Sequence, residues 1–182
     1  GGRLVEALEV EPDAAFDLLD RVSETVLRFL QAQMACLREP VGVILLDDAA
    51  GMLPPEAFRA QALPFLERLF AQFEGVVRLF HCAALPEALL PYLHDLPIEV
   101  FHGAPLRPDR LRHALPPHVA IMAGLPPQPD LAHAAPGQIE AAARAVIKAG
   151  GGTKGGVILS VAGFLHPKTP ADSLDTLVRA AR

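Results

Sequence analysis

The stretch VGVILLDDAAGMLPPE, Val41 to Glu56, passes from an apolar run into two adjacent carboxylates and then straight into a helix start. Six residues, Val41 to Leu46, are apolar or glycine, and Pro40 stops any helix before them. The run reads as a strand buried on both faces. Asp47 and Asp48 end it. Adjacent side chains on an extended chain point to opposite faces. One aspartate can therefore face a cleft while the other ties down the loop. Pro54-Pro55-Glu56 then opens a helix, since proline suits a first turn.

The same alternation extends in both directions. Upstream, Phe16, Leu19, Val22, Val26, Leu27, Leu30 and Met34 recur at helical spacing, which predicts a helix over Asp13 to Leu37. Downstream, Phe58, Phe65, Leu66, Leu69 and Phe73 form the apolar side of the second helix, and Pro64 should kink or split it. Strands are expected at Val76–Phe80, Ile98–Phe101, Val119–Met122 and Val157–Val161. Helices are expected near Pro86–Leu93, Arg107–Ala114, Gln138–Ala149, and from Thr169 or Asp172 to the C-terminus. Five apolar strands alternating with helices imply an α/β protein with a parallel sheet. Pattern alone favours an open doubly wound sheet, because a complete (β/α)8 barrel needs eight strands and typically ~250 residues.

The bulk properties exclude several classes. The 182 residues suit one domain over 1–182 with a sizeable core, and 51% apolar content excludes a disordered chain. A net charge of −5 with interspersed signs leaves no basic stripe, so no nucleic-acid partner is expected. The longest apolar runs are too short to span a bilayer, and no charged-then-apolar leader opens the chain. Cys36 and Cys82 are the only cysteines, read as buried apolar fillers in a cytoplasmic, reducing setting.

Polar residues gather just after the strands: Asp47-Asp48, His81 and His102. In parallel α/β folds the C-terminal strand edge is where ligands bind. Asp47, Asp48 and His81 are the catalytic candidates. His102, Gly124 and His166 are the candidates for holding a small-molecule substrate. Each has a plainer reading. The aspartates can cap the loop, His81 can bond a backbone carbonyl, and His102 and His166 can be loop residues. The glycine-rich run Gly150–Gly156 follows a helix and precedes a strand, the reverse of a phosphate-binding loop, and reads as a flexible connection.

From Asp47 to Phe65, DDAAGMLPPEAFRAQALPF resembles the uroporphyrinogen decarboxylase superfamily, whose members carry an acid or serine, then A-G, then L-x-P-x-x-F and a P-Y or P-F. Four further stretches are similar in order: Leu79–Ala84, Ala123–Pro127, Ala135–Glu140 and Gly156–Leu174. The resemblance runs from about Glu11 to Arg182. It implies about five βα units of a (β/α)8 TIM-type barrel, the C-terminal part of a fold roughly twice as long. Such a partial barrel leaves two strand edges and an apolar interior exposed. The resemblance therefore implies a homo-oligomer or the remainder of a longer chain.

The resemblance also bears on chemistry. The family's decarboxylases need no cofactor and hold a tetrapyrrole's carboxylates with arginines of the N-terminal part, which this chain does not match. A family serine falls at about Asp48 and a family histidine at Gly163. The family's methylcobamide-dependent methyltransferases bind zinc through H-x-C and a distant cysteine. Here Cys82 directly follows His81, and Val161–Gly163 holds no cysteine, so neither a metal nor a cofactor is expected. Two readings remain: a site at the strand edge acting by tetrapyrrole or corrinoid chemistry, or a scaffold that has lost its active-site residues.

Overall fold

The computed structural model describes residues 6–8, 10–83, 85–103, 106–127, 131–152 and 156–182. Ala84, the Gln128–Asp130 part of the proline-rich turn and the Thr153–Gly155 centre of the glycine-rich run lie outside them. The chain divides into two compact units, Gly1–Glu99 and Val100–Arg182.

In the first unit, helix α1 (Pro12–Cys36) leads to strand β1 (Gly42–Leu46) and a 3-10 turn at Ala50–Met52. A helical turn at Pro55–Ala57, a π turn at Phe58–Ala62 and helix α2 (Leu63–Ala71) follow as one continuous coil. Strand β2 (Val77–His81) and a 3-10 helix (Glu87–His94) complete the unit. The π turn is the form taken by the expected kink. Pro64 has no N–H to give the carbonyl four residues back, and its ring crowds that carbonyl. The chain widens instead, and the Leu63 N–H donates to the Phe58 carbonyl, five residues back.

β1 and β2 pair in parallel, with Gly42 opposite Val77, Ile44 opposite Leu79 and Leu46 opposite His81. Val43 and Phe80, on the helix-facing side, are buried. The Phe70 and Phe80 rings meet edge to face at 6.1 Å, and Phe58 packs on Tyr92 at 6.0 Å. The other side differs from the expected strand with both faces covered. Ile44 and Leu46 are 55% and 68% exposed, and Val43 is the one buried residue of β1. A continuous apolar run states what a strand can bury, while its neighbours decide what it does bury. Among the described residues β1 pairs with β2 alone. Cys36 is likewise exposed, at the last turn of α1, whereas Cys82 is buried as expected.

The second unit holds β3 (Val100–His102), α3 (Pro108–Ala114), β4 (Ala120–Leu125), α4 (Pro136–Ala149), β5 (Val157–Val161) and α5 (Ala171–Ala180). β3 pairs with β4 and β4 with β5, all parallel. Ile121, Ala123 and Leu125 alternate inward on β4, and Leu125 packs with Leu131, Ile139, Ala143, Leu177 and Ala180. Gln138 Oε1 accepts from the Ala135 N–H at 2.9 Å, one half of a capping box whose hydroxyl half Ala135 lacks. Arg112 ties α3 to the approach of β4 by donating to the carbonyls of Pro116 (2.7 Å) and Val119 (3.1 Å).

At the start of β2, Arg78 Nη2 lies 2.6 Å from Glu99 Oε1, and the Arg78 Nε and backbone N–H both donate to Glu99 Oε2. The Arg78 side chain holds the Glu99 carboxyl below the ordinary glutamate value of 4.5. A carboxylate with a lowered folded pKa stabilises the fold above its unfolded pKa and loses that effect as pH falls through the folded one. Glu99 is partly solvated, so the effect is modest. Glu99→Gln is expected to cost about 1 kcal/mol near neutral pH. The gap to wild type should close as pH drops below the glutamate range, measured by urea unfolding at a series of pH values. A gap that stays constant into acid would rule out the charged pair as its source.

Candidate functional site

The parallel register places the sequence candidates of the first unit. Leu46 lies opposite His81, so both side chains share a face at the C-terminal ends of β1 and β2. The ladder runs one step further, with the Asp47 N–H donating to the His81 carbonyl at 3.0 Å. Asp48, two positions beyond Leu46, returns to the face of His81. Its Oδ1 accepts from the Ala83 N–H at 2.6 Å and lies 3.8 Å from His81 Nε2. That separation is too long for a hydrogen bond. It is an ion-pair contact when the imidazole carries a proton.

Asp47 does the other job. Its Oδ1 accepts from the Ala50 N–H at 3.0 Å, which ties the 3-10 turn to the end of β1. It also lines a cavity on the helix side of the strand. The two carboxylates thus divide as strand geometry requires, one binding its own loop and one reaching across to the next strand. Exposure separates the pair as well: the Asp48 side chain is 59% exposed and that of His81 is 18%. A solvated carboxylate beside a half-buried imidazole can balance its charge when it takes a proton.

The second-unit candidates sit at comparable strand ends. His102 closes β3 in register with Met122, and Gly124 lies one step short of the end of β4, opposite Ser160. Glycine at 124 has a steric reason, because a Cβ there would overlap the Ser160 carbonyl. His166 lies beyond β5, where its Nδ1 accepts from the Lys168 N–H at 3.2 Å. That local turn contact matches the plain loop reading of His166.

The donor set does not suit the zinc site of the methyltransferase branch. His81 is half-buried at the edge, Cys82 is fully buried, and adjacent extended residues face opposite ways. Among the described residues no group of three or more His, Cys, Asp or Glu side chains could hold a metal ion. Nor is any described helix long and apolar enough to cross a membrane. The sequence reading assigns no role to Gln61 or Ser23, which both line the helix-side cavity. The signal for Gln61 was Pro64, whose disruption of the helix ladder falls on that turn.

Comparison with known proteins gives three findings. A family model described as uroporphyrinogen decarboxylase (URO-D) matches residues 2–182. A uroporphyrinogen decarboxylase of Bacillus cereus is 32% identical over 92 residues, covering 50% of this chain and 26% of that protein. A methyltransferase from Methanosarcina mazei superposes with a TM-score of 0.81 at 16% identity, over 97% of this chain and 51% of that one. The chain thus spans about half the length of the methyltransferase and, in the matched region, about a quarter of the curated relative. The fold class read from the sequence stands: α/β, with about five βα units of a (β/α)8-type barrel.

Substitutions at two positions test these assignments. Asp47→Ala removes the acceptor for Ala50 and should cost about 1 kcal/mol, whereas Asp47→Asn keeps an oxygen there and should cost less than half as much. Gly124→Ala forces a methyl against the Ser160 carbonyl, so β4 and β5 must shift at a cost of about 2 kcal/mol. Chemical denaturation reads both. A neutral Gly124→Ala would show that the strands separate freely at this point.

Proposed function

We propose, since this chain belongs to the uroporphyrinogen decarboxylase family, that the ends of β1 and β2 form an acid–base site for a tetrapyrrole-type macrocycle, either a porphyrinogen or a corrinoid. One observation carries the reading: Asp48 Oδ1 lies 3.8 Å from His81 Nε2 at the ends of neighbouring parallel strands. His81 is the proton carrier, and Asp48 balances the imidazolium that forms. Such a pair typically contributes about 10²- to 10⁴-fold to a proton-transfer step. His102, Gly124 and His166 are the remaining candidates for binding substrate. Asp47 stays outside the chemistry, because its carboxylate serves the turn. The porphyrinogen comes from the name of one relative, a uroporphyrinogen decarboxylase, and the corrinoid from the family resemblance read in the sequence.

A second reading has its own support. Asp48 Oδ1 is engaged by the Ala83 N–H at 2.6 Å, the kind of bond a loop-tying residue makes. On that reading the chain is a scaffold that keeps the fold and has lost the reaction.

The test compares wild type with Asp48→Asn and His81→Gln. Three assays are run: coproporphyrin binding by fluorescence, loss of carboxyl groups from uroporphyrinogen by chromatography, and methyl transfer from methylcobalamin by visible absorbance. The acid–base reading expects macrocycle binding in all three proteins and at least a hundredfold loss of turnover in both variants. If no macrocycle binds, or if the variants lose stability while turnover stays at the wild-type rate, the scaffold reading replaces it.

A further inference from the structure

A cavity of about 300 Å³ lies on the helix side of β1, away from the Asp48–His81 pair. Its walls come from α1 (Leu19, Val26), the end of β1 (Leu45), the following turn (Leu53) and α2 (Phe65, Leu66). The size falls at the lower end of small-molecule sites. An apolar cavity half as large, engineered in another protein, stays dry and takes up benzene. Val22 and Leu46 stand at this cavity and are both exposed, so it is reachable from solvent.

Its polar content is small, limited to Ser23, Asp47 and Gln61. Asp47 Oδ1 is occupied by the Ala50 N–H. Gln61, held in the π turn, donates its amide to the Leu8 carbonyl over a long 3.3 Å. Its carbonyl oxygen Oε1 is buried and has no hydrogen-bond partner among the described residues. A buried acceptor without a donor is unfavourable, and a molecule that supplies the donor recovers that free energy. The terminal amide torsion is soft. Gln61 lines the cavity, so Oε1 can turn to meet a donor held there.

We propose that this cavity binds a compact, neutral, mainly apolar molecule, about the size of a bicyclic aromatic, that offers one N–H or O–H to Gln61 Oε1. The hydrocarbon body fills the space between α1 and α2, and the single donor fixes its orientation. This site is independent of the strand-edge reading, because neither Asp48 nor His81 lines it.

Indole and indene test it, since they match in shape and differ in the N–H. Binding is followed by titration calorimetry and by methyl NMR of Val22, Val26 and Leu66. Indole is expected to bind saturably and at least fivefold more tightly than indene, with shifts confined to those methyls. Gln61→Met should erase the preference while still binding indene. Val26→Phe, which places a ring in the cavity, should weaken indole at least tenfold. No saturable binding of either compound overturns the proposal, as does equal affinity for the two in wild type. Both of those readings come from the unaltered chain, so a variant that fails to fold leaves the test intact.

Discussion

The parallel pairing of β1 with β2 is the constraint from which the rest of the first unit follows. With Leu46 opposite His81, the period of two in a strand determines where every later side chain goes. Asp47 falls on the helix side and binds its own turn, and Asp48 falls beside His81. A slip of one residue would exchange these roles. It would put Asp47 next to the imidazole and turn Ile44 and Leu46 to the helix side in place of Val43 and Leu45. The run is equally apolar on both faces, so the hydrogen-bond ladder, extended by the Asp47 N–H to the His81 carbonyl, marks the register.

Burial in this unit is lopsided. Phe58, Phe70 and Phe80 are fully buried on the helix side, while Ile44, Leu46 and Val77 remain exposed on the other. Helix α1 shares the pattern, since only Ala15 and Ser23 of its 25 residues are buried. Its apolar stripe packs on α2, which leaves Leu18, Val22 and Phe29 exposed. An ion pair between Asp20 and Arg68 at 2.7 Å links α1 to α2, but both groups are solvated and add little. What secures α1 is the contact around Phe16 and Phe65, whose rings lie 5.8 Å apart.

Most element boundaries were legible, because proline punctuates them. Pro40, Pro108, Pro136 and Pro170 each stand within two residues of an element's start. Strand β5 ran over the residues expected, β2 and β3 shifted by one or two, and β4 began one residue later and ran three further. The two aspartates were recognised as dividing their roles, but the division could not be assigned until the register was known. Burial was the least legible property. Val41–Leu46 looks equally apolar on both faces, and Cys36 looks like any core cysteine, because composition carries no information about missing neighbours. The disruption at Pro64 was foreseen. Its resolution as a π turn, which brings Gln61 to the cavity, depends on how the preceding turn is packed.

The unpaired side of β1 has a colloidal consequence. Val41 to Leu46 is six residues with no charge, no proline and high strand propensity, and among the described residues no strand pairs with its outer edge. Proteins usually protect such an edge with a lysine, a bulge or a covering helix. Here Glu39 and Asp47 flank the run as gatekeepers, and nothing within it interrupts stacking. Edge-to-edge pairing through β1 is therefore the association route this arrangement leaves open, and charge repulsion opposes it as the pH moves away from the isoelectric point near 5.8.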